Sequence, residues 1–183
     1  PQKRQTSRLS RYVLADNYLR FYFRFVRSNL DLIAQQLYAE VENRISEQLR
    51  AFVGMTAYEE LSLEWILTQA RAGKMPVSVE QVGSHWGGGV QVDAVAINWR
   101  EKQLLLGESK WQAEPIRRRV VRDLIETKTP KVLKLLPEDG DSWLVHYAFF
   151  GRSGFTEAAR SLAEEHGAQL VDLARLDRDL CGA

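Results

Sequence analysis

The chain has 183 residues, of which 45% are hydrophobic and 27% are charged, values that are ordinary for a soluble globular domain. They exclude collagen-like, low-complexity and wholly disordered chains, and a chain of this length can bury a core without disulfide or metal staples. The net charge is only +1, yet residues 1–30 carry seven Lys or Arg against one Asp. Basic surface is therefore concentrated locally, which allows a polyanionic partner.

Cysteine content and hydropathy bear on the cellular location. The single cysteine, Cys181, excludes a disulfide within the chain and a cysteine-based zinc site. No uncharged apolar run approaches the roughly 18 to 20 residues that span a bilayer, so we expect no membrane helix. The chain opens on Pro1 and a basic stretch that lacks the apolar core of a signal peptide. We therefore expect a cytoplasmic protein, and a chain that is a piece of a longer one.

The first third of the sequence has helical periodicity. Tyr and Phe at three-and-four spacing predict a helix over residues 17–33, capped by Asp16 or Asn17. Further helices are predicted over residues 35–52 and from Tyr58 to Ala70. The aromatic stripe is interpreted as a packing face rather than as a platform for stacking bases.

After Pro76 the pattern becomes strand-like, beginning at Val77 and Val79. A glycine turn at residues 87–89 precedes Val90 to Trp99, which alternates so that Asp93 and Val95 share one face while Val92 and Ala94 share the other. Its hairpin partner is predicted from Lys102 to Trp111.

The rest of the chain alternates helices and strands. A helix is predicted from Pro115, a buried strand from Trp143 to Phe150, a helix from Thr156 to His166, and a last strand from Gln169 to Leu173. This order predicts an α/β fold with a mixed β-sheet flanked by helices, behind an N-terminal helical segment.

Candidate chemistry is concentrated in the hairpin. Glu108 and Lys110 point to one face of their strand and Ser109 to the other, so two acids, Asp93 and Glu108, can converge with a lysine. Two carboxylates and a main-chain carbonyl, assigned to Ser109, form an oxygen site suited to Mg²⁺ or Mn²⁺. The ammonium could orient or deprotonate a water, or stabilise developing phosphorane charge. Metal-assisted phosphodiester hydrolysis uses groups of these kinds. The alternative is that Asp93 is a surface acid and Glu108 and Lys110 a solvated charge pair.

In these residues the sequence resembles the PD-(D/E)XK nuclease superfamily, which has the restriction-endonuclease-like fold. The matched core is Asp93, an interval of 14 residues, and then Glu108-Ser109-Lys110. The superfamily adds an upstream helix glutamate, which the resemblance assigns to Glu59, with Glu60 and Glu64 as alternatives. The resemblance implies catalytic roles for Asp93, Glu108, Lys110 and Glu59.

A more specific resemblance is carried by seven segments, which are Arg11 to Asp16, Leu19 to Tyr22, Tyr58 to Glu60, Trp86-Gly87, Val92-Asp93, Gly107 to Trp111 and Gly151 to Phe155. With these segments, almost the whole chain is similar to the C-terminal domain of archaeal-type P-loop ATPases. This resemblance implies a linker-like helical segment over residues 1–55, a nuclease-like domain over residues 56–183, and an ATPase module and winged helix earlier in the parent chain.

DNA is the expected partner besides that ATPase module, no membrane partner is expected, and oligomer formation stays open. The basic helix near Pro115 would bind phosphates through Arg117, Arg118 or Arg122, with Gln112 as a further contact. The other interpretation of such a run is a solvated helix face.

The hypothesis for the function of the chain is a metal-dependent DNA endonuclease. Its alternatives are a non-cleaving module that binds nucleic acid or regulates the ATPase, and an oligomerisation domain.

Overall fold

The computed structural model describes residues 14–137 and 142–182. Arg11 to Val13, which open the first segment of the ATPase-domain resemblance, and the basic residues before them lie outside the described residues. Contacts divide the chain into two compact units, with the division between Ala57 and Tyr58.

The first unit is helical. The helical stretch over residues 17–34 consists of α1 (Asn17–Phe21), a π-helical turn, a 3-10 turn and α2 (Leu30–Ala34), and it is followed by α3 (Tyr38–Thr56). Asp16, rather than Asn17, caps α1 by accepting a 2.8 Å hydrogen bond from the amide of Leu19. The Phe25 ring is buried, with its centroid 5.1 Å from those of Phe21 and Phe52. This part of the aromatic stripe packs inside the unit.

The second unit is built on a five-stranded mixed sheet in the order β1-β2-β3-β4-β5. The first three strands are antiparallel, and β3, β4 and β5 are parallel. Gly88 and Gly89 have φ of 58° and 73°, which suits the predicted turn between the first two strands. The strands are β1 (Gln81–Gly87), β2 (Val90–Asn98), β3 (Gln103–Lys110), β4 (Leu144–Gly151) and β5 (Gln169–Asp172).

Helices cover both faces of this sheet, which confirms the predicted fold class. One face packs against Trp65 and Leu176 of α4 (Tyr58–Arg71) and α8 (Leu173–Cys181). The other face packs against α5 (Arg118–Arg122), a π-helical segment (Asp123–Lys128), α6 (Thr129–Leu133) and α7 (Glu157–Glu165). None of the helices within the described ranges is both long and apolar enough to cross a bilayer.

The first strand and the helix after Pro115 start later than predicted, in both cases because backbone groups near the predicted start are bonded elsewhere. The first strand begins at Gln81 rather than Val77, because the side chain of Asn98 donates a 2.9 Å hydrogen bond to the carbonyl of Ser78 before the ladder starts. The helix expected from Pro115 begins at Arg118. Ile116 donates its amide to Gly154 and accepts from Thr156, so its backbone groups are not available to a helix.

Candidate functional site

Asp93 lies in a β-bulge between β1 and β2. Gly83 pairs with Val95 and His85 with Val92, so two residues of β2, Asp93 and Ala94, oppose one residue of β1. A bulge re-aims side chains and is common beside active sites.

The bulge overturns part of the predicted alternation. Val92 packs in the same core as Val95 and Ile97, whereas Ala94 packs on the opposite face of the sheet. The prediction that Val92 and Ala94 share a face was therefore wrong, because the extra residue reverses the alternation at Asp93.

The Asp93 carboxylate stands where β2 and β3 stop pairing. The regular ladder between them ends at Ala94 and Gly107. Beyond it, Asp93 Oδ2 accepts a 3.0 Å hydrogen bond from the amide of Ser109. Only 8% of the Asp93 side chain is exposed, and no hydrogen bond from the described residues reaches its other oxygen, Oδ1. Asp93 therefore offers one carboxylate oxygen to a ligand.

Glu108 is held between two ammonium groups. Lys110 Nζ lies 2.5 Å from Oε1 and Lys128 Nζ lies 2.6 Å from Oε2, while only 7% of the Glu108 side chain is exposed. Lys110 Nζ is also 3.7 Å from Asp93 Oδ2, so the two acids have oxygens no more than about 6 Å apart. The structure thus brings together Asp93, Glu108 and Lys110, the three residues that the sequence singled out.

The surroundings of Lys110 determine its protonation. Burial lowers its pKa, but the hydrogen bond and charge of Glu108, aided by Asp93 and Glu59, outweigh this effect and leave the pKa raised. Lys110 is consequently an ammonium at neutral pH in this arrangement.

Glu59 approaches the same cluster from the first turn of α4. Its side chain is exposed, yet partial burial of the carboxylate raises its pKa, and the charges of Asp93 and Glu108 raise it further against the opposing effect of Lys110. This coupling places Glu59 within electrostatic reach of the pocket.

Ser109 faces away from the acids, as the alternation predicts. Its hydroxyl donates a 2.9 Å hydrogen bond to Ser62 Oγ on α4. Its amide points towards Asp93, and in a strand the carbonyl of the same residue points to the same side. The carbonyl of Ser109, rather than its hydroxyl, therefore lies on the edge that Asp93 occupies.

Lys128 is a residue of the pocket that sequence reasoning missed. It ends the π-helical segment, and two residues later Pro130 has no amide to donate into the helix. The hydroxyl of Thr129 donates a 2.7 Å hydrogen bond to the carbonyl of Leu124 within the π-helical segment. The nearest signal in the sequence was a proline inside a helical pattern.

The acids and lysines line one open pocket of about 360 Å³ at the end of the hairpin. The sequence did not single out its other polar lining residues, which are Gln91, Asp123, Thr127, Lys128 and Lys131. Three or more His, Cys, Asp or Glu side chains in a metal-holding arrangement do not occur in the described part of the chain.

The residues predicted to bind nucleic acid lie outside this pocket. Arg117, Arg118 and Arg122 are exposed, with Arg118 and Arg122 on α5 and Arg117 capping it. Gln112 donates a 3.1 Å hydrogen bond to the carbonyl of Glu114. The arginines can therefore meet a ligand in solvent, whereas one amide hydrogen of Gln112 is bonded to the protein.

Comparisons with known proteins place the chain among relatives without a described activity. Residues 22–124 match DUF234, described as archaea bacterial proteins of unknown function. Over 148 residues the chain is 27% identical to an uncharacterized protein of Methanocaldococcus jannaschii, covering 80% of this chain and 31% of that protein. The chain thus spans less than a third of the length of that relative. No solved structure matches the chain at a significant level.

Proposed function

The chain belongs to the DUF234 family, and from the geometry of its pocket we propose that it is a metal-dependent endonuclease module that hydrolyses phosphodiester bonds in DNA. One observation carries the proposal. Asp93 and Glu108, both nearly buried, converge with Lys110 in an open pocket at the end of a hairpin.

The residues present fit a hard divalent cation. Mg²⁺ commonly takes one or two protein carboxylates and keeps several waters, so two acids suffice. Asp93 Oδ1, the carboxylate of Glu108 and the carbonyl of Ser109 are the groups that would hold Mg²⁺ or Mn²⁺. When bound, such an ion supplies polarisation of a phosphoryl oxygen and a lowered pKa of bound water.

The side chains around these acids have separate roles in the proposal. The raised pKa of Lys110 favours a charged ammonium that stabilises negative charge developing on the phosphorane, rather than a base that removes a proton from water. Lys128 lines the same pocket and brings a second positive charge to it. Glu59, whose pKa is raised, orients a water near the cluster or accepts a proton from it.

A second candidate function is a non-cleaving module that binds nucleic acid. It is favoured by the two ammonium groups on Glu108, which satisfy this carboxylate without a cation. Coupling to a P-loop ATPase module in a parent chain rests on the sequence resemblance alone.

A cleavage assay with single-stranded, duplex and branched DNA, in Mg²⁺, Mn²⁺ or EDTA, tests the proposal. We expect cleavage by the parent only with metal. Glu108→Ala should lose about 10²-fold or more, because several kcal/mol of transition-state stabilisation depends on the ion it would hold. Glu114→Ala, which removes an exposed acid outside the pocket, should keep parental activity. Binding of DNA by the parent without cleavage in any metal would establish the non-cleaving alternative.

A further inference from the structure

A second cleft, of about 730 Å³, opens at the carboxyl ends of β4 and β5. The helices α7 and α8 both begin at this edge of the sheet. Ligands of open α/β sheets commonly bind outside the carboxyl ends of parallel strands. The charged residues that line the cleft are Arg152, Arg160, Asp172 and Asp177.

Two arginines in this cleft are held by aromatic rings. The guanidinium of Arg152 lies 4.9 Å from the centroid of Trp111, and that of Arg160 lies 5.6 Å from the centroid of Phe155. Within residues 14–137 and 142–182, no carboxylate forms an ion pair with either arginine. A ring within about 6 Å of a guanidinium attracts it through a cation–π interaction, and the N–H groups can still donate to a ligand.

The two acids of the cleft have other partners. Asp172 Oδ1 caps α8 by accepting a 2.8 Å hydrogen bond from the amide of Arg175. Asp177 accepts a hydrogen bond from the thiol of Cys181, which raises the pKa of that thiol. Both acids thus have partners on α8, and among the described residues neither forms an ion pair with the arginines.

The register of the sheet ties this cleft to the first pocket. Lys110 pairs with Gly151, and the amide of Arg152 donates a 3.1 Å hydrogen bond to the carbonyl of Lys110. Gly151 in turn pairs with Asp172. Neighbouring strands are about 4.8 Å apart, so the cleft begins roughly 5 to 10 Å from Lys110. In a duplex, where each strand has one phosphate per roughly 3.4 Å of helix axis, this span covers about one to three nucleotides.

We propose that Arg152 and Arg160 form a phosphate-binding subsite for the nucleic-acid strand that is cut in the Asp93 and Glu108 pocket. The inference rests on the proposed function, because it takes that pocket as the place of the scissile bond. Arginine pairs with phosphate through two parallel hydrogen bonds, and neither arginine forms an ion pair among the described residues. Ser153 is already committed, since its hydroxyl donates to the carbonyl of Gln112, so the two arginines are the ligand-binding groups.

The test is the salt dependence with which the protein binds a fluorescent single-stranded oligonucleotide in EDTA, where cleavage is blocked. Loss of two phosphate contacts in the Arg152→Gln, Arg160→Gln variant should lower the slope of log affinity against log salt by about 1.4. Arg100→Gln, Lys102→Gln likewise removes two positive charges, from the β2–β3 turn at the other end of the sheet, and should leave the slope unchanged. The Arg152→Lys, Arg160→Lys variant keeps the charges and should keep the slope, which separates lost phosphate contacts from lost folding.

A small diester separates failure of this subsite from failure of the proposed function. Bis(4-nitrophenyl) phosphate is too short to reach both sites, so the Arg→Gln variant should hydrolyse it at the parental rate while its KM for DNA rises. If the slope falls but neither substrate is hydrolysed, the subsite stands and the proposed cleavage fails. An unchanged slope in the Arg→Gln variant, or no binding of DNA by the parent, overturns the subsite.

Discussion

Two groups of charged side chains lie on opposite faces of the same sheet, and they are organised differently. Beside the α5 to α6 face, Glu108 is held by two lysines, while Asp93 leaves Oδ1 open. On the α4 and α8 face, Asp179 accepts a 2.9 Å hydrogen bond from the buried indole of Trp65. We call these groups the pocket cluster and the Trp65 cluster.

The charged side chains of the Trp65 cluster bond to one another and to neighbouring residues of the protein. Arg175 lies 3.5 Å from Asp179 Oδ2 and 5.1 Å from the centroid of Trp65, and it also donates hydrogen bonds to the carbonyl of Leu170 and the side chain of Gln169. The guanidinium of Arg175 thus donates to groups of the protein itself, as expected for a charged residue that holds two helices against a sheet. In the pocket cluster, by contrast, Asp93 Oδ1 accepts no hydrogen bond from the described residues, and the cluster lines an open pocket.

The largest effect on stability is expected in the Trp65 cluster. Asp179→Ala leaves the buried indole N–H of Trp65 without its acceptor, which should lower the free energy of unfolding by about 1 to 3 kcal/mol. Asp179→Asn keeps an acceptor and should recover most of this loss. Urea unfolding of both variants measures the difference. Equal, near-parental stability of the two variants would show that the hydrogen bond does not fasten α8.

A smaller effect of opposite sign is expected at the pocket cluster. The pKa of Glu59 is raised in the folded protein, so ionisation of this carboxyl costs stability once the pH exceeds its ordinary value of 4.5. Glu59→Gln should therefore become more stable relative to the parent as the pH rises from 4 to 7. Thermal unfolding in metal-free buffer across this range measures the change. A stability difference that does not vary with pH would show that Glu59 is not coupled to the cluster.

The convergence of Asp93, Glu108 and Lys110 could be predicted because it follows from local rules. Two strands joined by a short link must run antiparallel, and alternation then sets which side chains share a face. The bulge at Asp93 could not be predicted, because Val90 to Trp99 alternates cleanly in sequence and the extra residue is defined by pairing with β1.

The position of Lys128 in the pocket could not be predicted from the sequence, for another reason. An extra residue in a helical turn rotates the side chains that follow by about 100°, so the π-helical segment decides where Lys128 points. By contrast, α8 could have been found. Asp172 precedes Leu173, Leu176 and Leu180 at helical spacing, but the strand predicted to end at Leu173 concealed this pattern.

We propose that the pocket cluster binds a divalent cation and that the Trp65 cluster does not, and one measurement tests this difference most directly. It is thermal unfolding of the parent, Asp93→Asn and Asp179→Asn with and without roughly 10 mM Mg²⁺ or Mn²⁺. Binding to the folded state stabilises by RT ln(1 + [L]/Kd), so the metal should raise the Tm of the parent and of Asp179→Asn, and raise that of Asp93→Asn much less. Equal metal-induced shifts in all three proteins would contradict the account, because Asp93 would then not be a ligand.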